Sequence, residues 1–120
     1  MYKDTKELND QFVELGFKPG YNKKTMLNRI DFIDEELQEL IAAVDKDDHA
    51  EALDALVDLT VVILGTAYQM DWDFQKAWDK VHKANMEKTA VKGEAINNRA
   101  MSFDLKKPYD WLAPDLEDCV

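Results

Sequence analysis

Two long stretches in the middle of the chain have apolar residues at helical spacing. In residues 26–46 they recur every three or four positions, which predicts one apolar stripe along an amphipathic helix. In residues 49–70 they are nearly continuous from Val57 to Leu64, so this run taken alone also fits a buried strand. A helix is favoured because the period extends back through Leu53 and Leu56, because residues 48 and 51 have the spacing of a capping box, and because no second strand is available as a partner.

Shorter helices are predicted on either side of this pair. The first covers residues 4–15, and the fourth runs from an N-cap at Asp73 to about Lys88. Thr25 is the predicted N-cap of the second helix. Gly65, inside the third helix, indicates either a close helix contact or a kink.

The helical period ends near residue 90. Residues 91–120 are predicted to form a loop or short hairpin and then an extended tail, which packs on the bundle, on a neighbouring subunit or over a site. The third helix is apolar around most of its circumference and therefore needs neighbours on most sides. The predicted fold is one all-α domain over residues 1–120, with a helical core at 1–90. It is a four-to-five-helix bundle completed by dimerisation, as a homodimer or homotetramer.

Four carboxylates stand out within the two long helices. Glu36 and Glu39 are three positions apart, and Asp54 and Asp58 are four apart, so each pair shares one side of its helix. The short polar link at 45–49 makes the helices antiparallel neighbours. Because Glu36 and Asp58 are equally far along the chain from the middle of that link, they are expected at matching heights. The helical period allows all four carboxylates to face one cleft.

Asp58 interrupts an apolar run that is expected to be buried. A buried carboxylate without a partner costs several kcal/mol, which is a large share of the stability of a small domain. A divalent cation would offset this cost, and clustered carboxylates suit Mg²⁺, with Mn²⁺ as a substitute. The alternative is that Glu36 and Glu39 are solvated surface charges while Asp58 pairs with a distant Lys or Arg.

Charge and composition narrow the function. The net charge of −10 argues against binding of nucleic acid or of an anionic membrane surface. The chain has no apolar span long enough for a transmembrane helix, and its single cysteine, Cys119, provides no disulfide framework or zinc motif. These features predict a soluble protein of the cytoplasm. A phosphate-bearing substrate would need metal ions to offset the repulsion.

Five short motifs follow one another along the chain. They are Arg29-x-x-Phe32-Ile33-x-Glu35-Glu36-x-x-Glu39, Asp54-Ala-Leu-Val-Asp58, Val62-Ile-Leu-Gly65, Asn85-Met-Glu-Lys88 and the tail Lys107-Pro108-x-x-Trp111-x-x-Pro114-Asp115. Their order resembles a known family, the all-α nucleoside triphosphate pyrophosphohydrolases. Within it, the chain is most similar to the MazG-like and phosphoribosyl-ATP pyrophosphohydrolase-like proteins often carried by bacteriophages, which would place it in the host cytoplasm.

The resemblance implies a helical bundle assembled between protomers. It implies cleavage of a nucleoside triphosphate between the α and β phosphates, which releases a monophosphate and pyrophosphate. It also implies Mg²⁺ held by Glu36 and Glu39 on one helix and by an acidic pair on the next, for which Asp54 and Asp58 are the candidates. The family's second motif is commonly Glu-x-x-Asp, whereas this chain has Ala55 three positions before Asp58 and Asp54 four before it.

Further roles come from the same resemblance. Glu36 and Glu39 are the candidate general bases, and Glu35 is a weaker one. Asn85 and Lys88 match a segment of the metal and phosphate region. Lys88 is expected to stabilise the leaving pyrophosphate, with Arg29 or Lys24 as a secondary helper. Aromatic residues such as Tyr68 and Trp78 either line a base pocket or, as is more common for such residues, pack in the core.

Two alternatives stay open at this point. One is a catalytically silent helical binding or regulatory protein that retains the bundle, although such a protein has no need to bury Asp58 or Asn85. The other is action on phosphoribosyl-ATP in histidine synthesis. The base and sugar of the substrate are not identified by any residue of the chain.

Overall fold

The structure is a computed structural model that describes residues 1–92 and 103–120. The chain divides into two compact units, Met1–Phe74 and Gln75–Val120. The first unit contains three helices: α1 (Tyr2–Glu14), α2 (Lys23–Asp45) and α3 (His49–Gln69). The helical interpretation of the apolar run from Val57 to Leu64 is therefore confirmed, and the strand alternative is excluded.

Side chains cap the starts of both long helices. The carboxylate of Asp48 accepts the backbone N–H of Glu51 at 3.1 Å, as the capping pattern predicts. At the start of α2, the side-chain oxygen of Asn22 accepts the N–H of Thr25 at 3.0 Å. The prediction that Thr25 is the N-cap is therefore wrong, because Asn22 satisfies this amide group and the helix begins earlier than the apolar period indicates.

The link between α2 and α3 reverses the chain over a very short distance. Asp47 lies in the left-handed region with φ of 57°, which a short acidic side chain tolerates better than a branched one. Arg29 contacts residues 62 and 66, whereas Glu36 lies beside Asp58, so the two helices run antiparallel as predicted.

Helices α1, α2 and α3 approach one another closely at Gly65. A Cβ atom at this position would be 3.0 Å from Nη2 of Arg29 on α2 and 3.2 Å from Nδ2 of Asn9 on α1. α3 continues through the glycine as one helix, so the predicted close contact is confirmed and the kink is not. Asn9 is buried, and its side-chain oxygen accepts a hydrogen bond from Gln69 at 3.4 Å.

Arg29 joins α2 to α3 beside this glycine. Its Nε donates to the hydroxyl of Thr66 and its Nη2 donates to the carbonyl of Val62, both at 3.0 Å. The guanidinium also lies 5.5 Å from the centre of the Phe32 ring. Burial lowers the pKa of Arg29 from its ordinary value, which is high enough for the side chain to stay charged.

The second unit contains most of α4 (Phe74–Met86) and the C-terminal segment. Strands β1 (Thr89–Lys92) and β2 (Phe103–Lys106) pair in antiparallel register, and a 3₁₀ turn covers Glu117–Cys119. Lys76 and Lys80 of α4 form ion pairs with Asp118 at 2.9 and 2.5 Å, which hold the end of the chain against the helix.

The predicted all-α class is confirmed, with the β1–β2 hairpin as a small addition. Part of the predicted loop or hairpin, residues 93–102, lies outside the described residues. Dimerisation and the role of the tail stay predictions. None of the helices in the described part of the chain is long and apolar enough to span a membrane.

The Arg29 contacts predict a measurable loss of stability in Arg29→Met. The variant loses two hydrogen bonds from a charged donor, so its free energy of unfolding should fall by about 1–3 kcal/mol. Urea denaturation followed by circular dichroism measures the difference. The exposed Lys24, also on α2, provides the control, because Lys24→Met should change stability by less than about 0.5 kcal/mol. Equal stability of the two variants would contradict a structural role for Arg29.

Candidate metal centre

Three of the predicted carboxylates converge between α2 and α3. One oxygen from each of Glu36, Glu39 and Asp58 lies within 4.8 Å of the other two. Glu36 and Asp58 are half-buried, whereas Glu39 is exposed. The i, i+3 spacing on α2 places both glutamates on one side of that helix, and the antiparallel packing brings Asp58 to their height.

The cluster is electrostatically unfavourable by itself. Oε2 of Glu36 is buried and has no hydrogen-bond partner. Burial raises the pKa of Glu36, and the neighbouring carboxylates Glu39, Asp58 and Glu35 raise it further. A bound divalent cation would offset both effects. Three carboxylate oxygens at this spacing fit the hard oxygen ligands that Mg²⁺ and Mn²⁺ prefer.

The fourth predicted carboxylate does not join this group. Asp54 is exposed and lies one turn before Asp58 on α3, outside the set of three mutually close carboxylates. Ala55, at the position where the resemblance expects an acidic residue, is buried. The structure therefore brings together three of the four predicted ligands. Position 55 is buried, whereas Asp54 is exposed to solvent. A ligand role for Asp54 stays a prediction.

The predicted substrate-binding residues occupy different surroundings. Arg29 precedes Glu36 on α2 by about 10 Å along the helix axis, and its guanidinium hydrogen bonds to α3. Asn85 and Lys88 belong to the second unit, where Nζ of Lys88 donates to Oδ1 of Asn85 at 3.1 Å. Contact with a substrate stays a prediction for all three residues.

Tyr68 has a defined partner within the first unit. Its hydroxyl donates to the carboxylate of Asp10, which raises the pKa of Tyr68 to about 12 and lowers that of Asp10. Tyr68 also lines a cavity of about 230 Å³ together with Tyr2, Lys6, Pro19, Asp71 and Trp72. Through its hydrogen bond to Asp10, Tyr68 joins α3 to α1.

Sequence reasoning missed one arrangement of charged groups. Nζ of Lys107 lies 5.0 Å from the centre of the Trp111 ring, and Nζ of Lys88 lies 4.8 Å from the same centre. The tail motif that contains Lys107 and Trp111 was the available signal, but no periodic pattern connects it with α4.

Comparison with known proteins identifies the family. The family model described as phosphoribosyl-ATP pyrophosphohydrolase matches residues 7–85. This match covers well over half of the 120 residues. The chain belongs to this family. Its membership confirms the predicted relationship and is consistent with the all-α, MazG-like pyrophosphohydrolase superfamily.

The family match extends over the whole carboxylate cluster and ends at Asn85. Lys88 and the tail motif lie beyond it. A search of curated proteins found no match. Family membership supports hydrolysis of a pyrophosphate bond, and the acidic cluster is a group of residues suited to binding a metal ion.

The raised pKa of Glu36 predicts a stabilising effect of Glu36→Gln in metal-free protein. The folded state holds the Glu36 proton more tightly than the unfolded chain, so stability declines as pH rises through the ordinary glutamate range to the raised pKa. Above the raised pKa the whole of that loss applies, and Glu36→Gln removes it. In EDTA the variant should therefore unfold at higher denaturant concentration than the wild type at pH 7, and the difference should shrink as the pH falls below the ordinary range.

The stabilities of the wild type and of Glu36→Gln are then compared after Mg²⁺ is added. The cation should stabilise the wild-type protein more than Glu36→Gln, because a neutral amide is a weaker ligand than a carboxylate. If Glu36→Gln is less stable than the wild type in EDTA at pH 7, the carboxylate cluster does not destabilise the metal-free protein and the prediction is wrong.

Proposed function

We propose that the protein is a Mg²⁺-dependent nucleoside triphosphate pyrophosphohydrolase. It cleaves ribo- or deoxyribonucleoside triphosphates between the α and β phosphates and releases the nucleoside monophosphate and pyrophosphate. The observation that carries this proposal is the cluster of Glu36, Glu39 and Asp58 with its unpartnered buried oxygen, in a chain of a pyrophosphohydrolase family.

The charge of the molecule explains why a metal belongs to the proposal. The chain carries a net charge of −10, and a triphosphate adds about four negative charges, so the two repel each other. Bound Mg²⁺ would neutralise phosphate charge and lower the pKa of an attacking water. Glu36, Glu39 and Asp58 would hold it, with Mn²⁺ as a substitute. Asp54 adds negative charge one turn away on α3.

The remaining proposed roles are to accept a proton from the attacking water and to stabilise the charge on the leaving pyrophosphate. Glu36 or Glu39 would accept the proton of the attacking water as the general base. Lys88 offsets the charge that develops on the leaving pyrophosphate, and Asn85 orients Lys88 through their hydrogen bond. Arg29 assists by supporting the face of α2 that carries Glu36.

Phosphoribosyl-ATP is the second candidate substrate. The family match carries this name, and the bond cleaved is of the same chemical kind. The carboxylate cluster serves either substrate, because it acts on the phosphates and not on the base or sugar. A catalytically silent bundle is less well supported, since it leaves the cost of the buried Glu36 oxygen without a purpose.

Product analysis tests the proposed reaction. The purified protein is incubated with a panel of nucleoside triphosphates and with phosphoribosyl-ATP, in Mg²⁺ and then in EDTA, and the products are separated by chromatography. Monophosphate and pyrophosphate should appear only with the metal. Exclusive turnover of phosphoribosyl-ATP would select the second candidate. Release of diphosphate and orthophosphate, or no product from any substrate in Mg²⁺ or Mn²⁺, would contradict the proposal.

Asp58→Asn tests the carboxylate cluster directly. The change removes one charged ligand with little change in volume, so kcat/KM should fall by at least about a hundredfold while the circular dichroism spectrum is retained. Asp34→Asn is the matched control, because Asp34 is an exposed acidic residue of α2 outside the cluster. It should retain nearly full activity. Comparable activities of the two variants would exclude Asp58 as a ligand.

The apolar faces of the long helices support a homo-oligomer as a further part of the proposal. Leu53, Leu56 and Val57 recur at i, i+3 and i+4 on α3 and are 63, 50 and 54% exposed. Ile41 and Val44 on α2 are also exposed. Contiguous apolar surface of this kind is uncommon on monomers in water. A second copy of the chain, in a homodimer or homotetramer in the cytoplasm, would bury it.

Leu56→Glu tests whether a second copy covers the α3 face. Light scattering should give the wild type a mass of at least twice 13.9 kDa, and the variant should shift toward 13.9 kDa because a carboxylate cannot be buried in an apolar interface without a large cost. Leu15→Glu controls for added charge, since Leu15 is 86% exposed just beyond the end of α1. A monomeric wild type, or an equal effect of both changes, would contradict the interface.

A further inference from the structure

Two lysine ammonium groups share the ring of Trp111 in the C-terminal unit. Nζ of Lys88 lies 4.8 Å from the ring centre and Nζ of Lys107 lies 5.0 Å from it. The separation of the two nitrogens therefore cannot exceed the sum of these two distances. The two like charges repel each other, although the indole ring attracts each of them.

In the described part of the chain, this lysine pair has no carboxylate partner. Within residues 1–92 and 103–120, neither Lys88 nor Lys107 forms an ion pair. Lys76 and Lys80 on α4 differ in this respect, because both pair with Asp118. The pair at Trp111 is therefore a local concentration of positive charge in a chain whose net charge is −10.

The ring that carries the pair is fixed in place. The indole N–H of Trp111 donates to the carbonyl of Ala84 at 2.8 Å, and Ala84 is buried. Lys88 donates one hydrogen bond to the neutral amide oxygen of Asn85 at 3.1 Å, which orients its ammonium group without neutralising it. Two N–H donors of Lys88 and all three of Lys107 are left by these contacts.

We propose that Lys107 is a second phosphate-binding residue beside Lys88, and that Trp111 is the residue that positions them. The ligand is a diphosphate group, either the β and γ phosphates of the substrate or the pyrophosphate product. Two ammonium groups held at one ring match the charge of two linked phosphates better than that of one. This inference rests on the proposed function, since it names the part of the substrate that the C-terminal unit binds.

A simpler explanation covers only half of the arrangement. Lys88 lies just beyond the last residue of α4, where an ammonium group is favourable beside the free carbonyls of the helix end. Lys107 follows β2 and brings a second positive charge to the same ring, which the helix end does not require. A diphosphate ligand accounts for both lysines.

Binding of inorganic pyrophosphate tests the inference without relying on turnover. Isothermal titration calorimetry on the full chain in EDTA measures affinity for the lysine pair while the metal centre is empty. Lys107→Gln should weaken binding by about three- to tenfold, which is the loss expected for one exposed charged contact. Lys106→Gln is the matched control, because Lys106 is the exposed neighbouring lysine and forms no cation–π contact with Trp111 among the described residues. It should bind as tightly as the wild type.

Two Trp111 variants separate positioning from simple charge. Trp111→Leu removes the ring and should weaken pyrophosphate binding as much as Lys107→Gln. Trp111→Phe keeps an aromatic face and loses the N–H bond to Ala84, so it should have an intermediate affinity. If Trp111→Leu fails to fold by circular dichroism, the comparison of Lys107→Gln with Lys106→Gln decides the question.

Product inhibition connects the site to the reaction. In Mg²⁺, Lys107→Gln should raise the inhibition constant for pyrophosphate several-fold and leave that for the nucleoside monophosphate unchanged. Equal pyrophosphate affinity of Lys107→Gln and Lys106→Gln, or wild-type affinity no greater than for sulfate, would overturn the inference even if the enzyme is active. Binding that depends on Lys107 in a protein that hydrolyses no nucleotide would instead support the anion site and contradict the proposed function.

Discussion

The close antiparallel contact between α2 and α3 is the constraint on which the rest of the first unit depends. Gly65 permits it, because a Cβ atom there would be 3.0 Å from the Arg29 guanidinium. Arg29 then joins the helices through Thr66 and the Val62 carbonyl. These contacts set the rotation of each helix about its axis. That rotation directs Glu36, Glu39 and Asp58 toward one another instead of toward solvent.

The carboxylate cluster lowers the stability of the metal-free fold and provides oxygen ligands suited to a cation. Glu36 has a buried oxygen without a partner and a pKa raised by burial and by its acidic neighbours. An apolar residue at this position would be less costly, yet it could not bind a cation. Strain of this kind is common at functional sites, where a ligand offsets a cost that the protein alone does not. The three residues that local electrostatics singles out also lie within the segment that the family model matches.

Each unit has a local group of like charges. The first concentrates carboxylates between two helices, and the second holds two lysines on one indole ring. A phosphate-bearing substrate is attracted by lysines and is repelled by carboxylates that hold no cation. The net charge of −10 makes the lysine pair more significant, because most of the molecule repels such a substrate.

The amino-acid sequence by itself determined the four helices, the antiparallel pairing of the long ones and the acidic residues near Asp58, because these follow from apolar period, link length and residue type. Tertiary structure decided which of these carboxylates come together. Asp54 and Asp58 share a face by spacing, yet only Asp58 joins the cluster, since helix rotation depends on contacts at Gly65 and Arg29 that are distant in sequence. The Asn22 cap and the joining of Lys107 and Lys88 at Trp111 were likewise visible only in the folded chain, because no local period relates residues so placed.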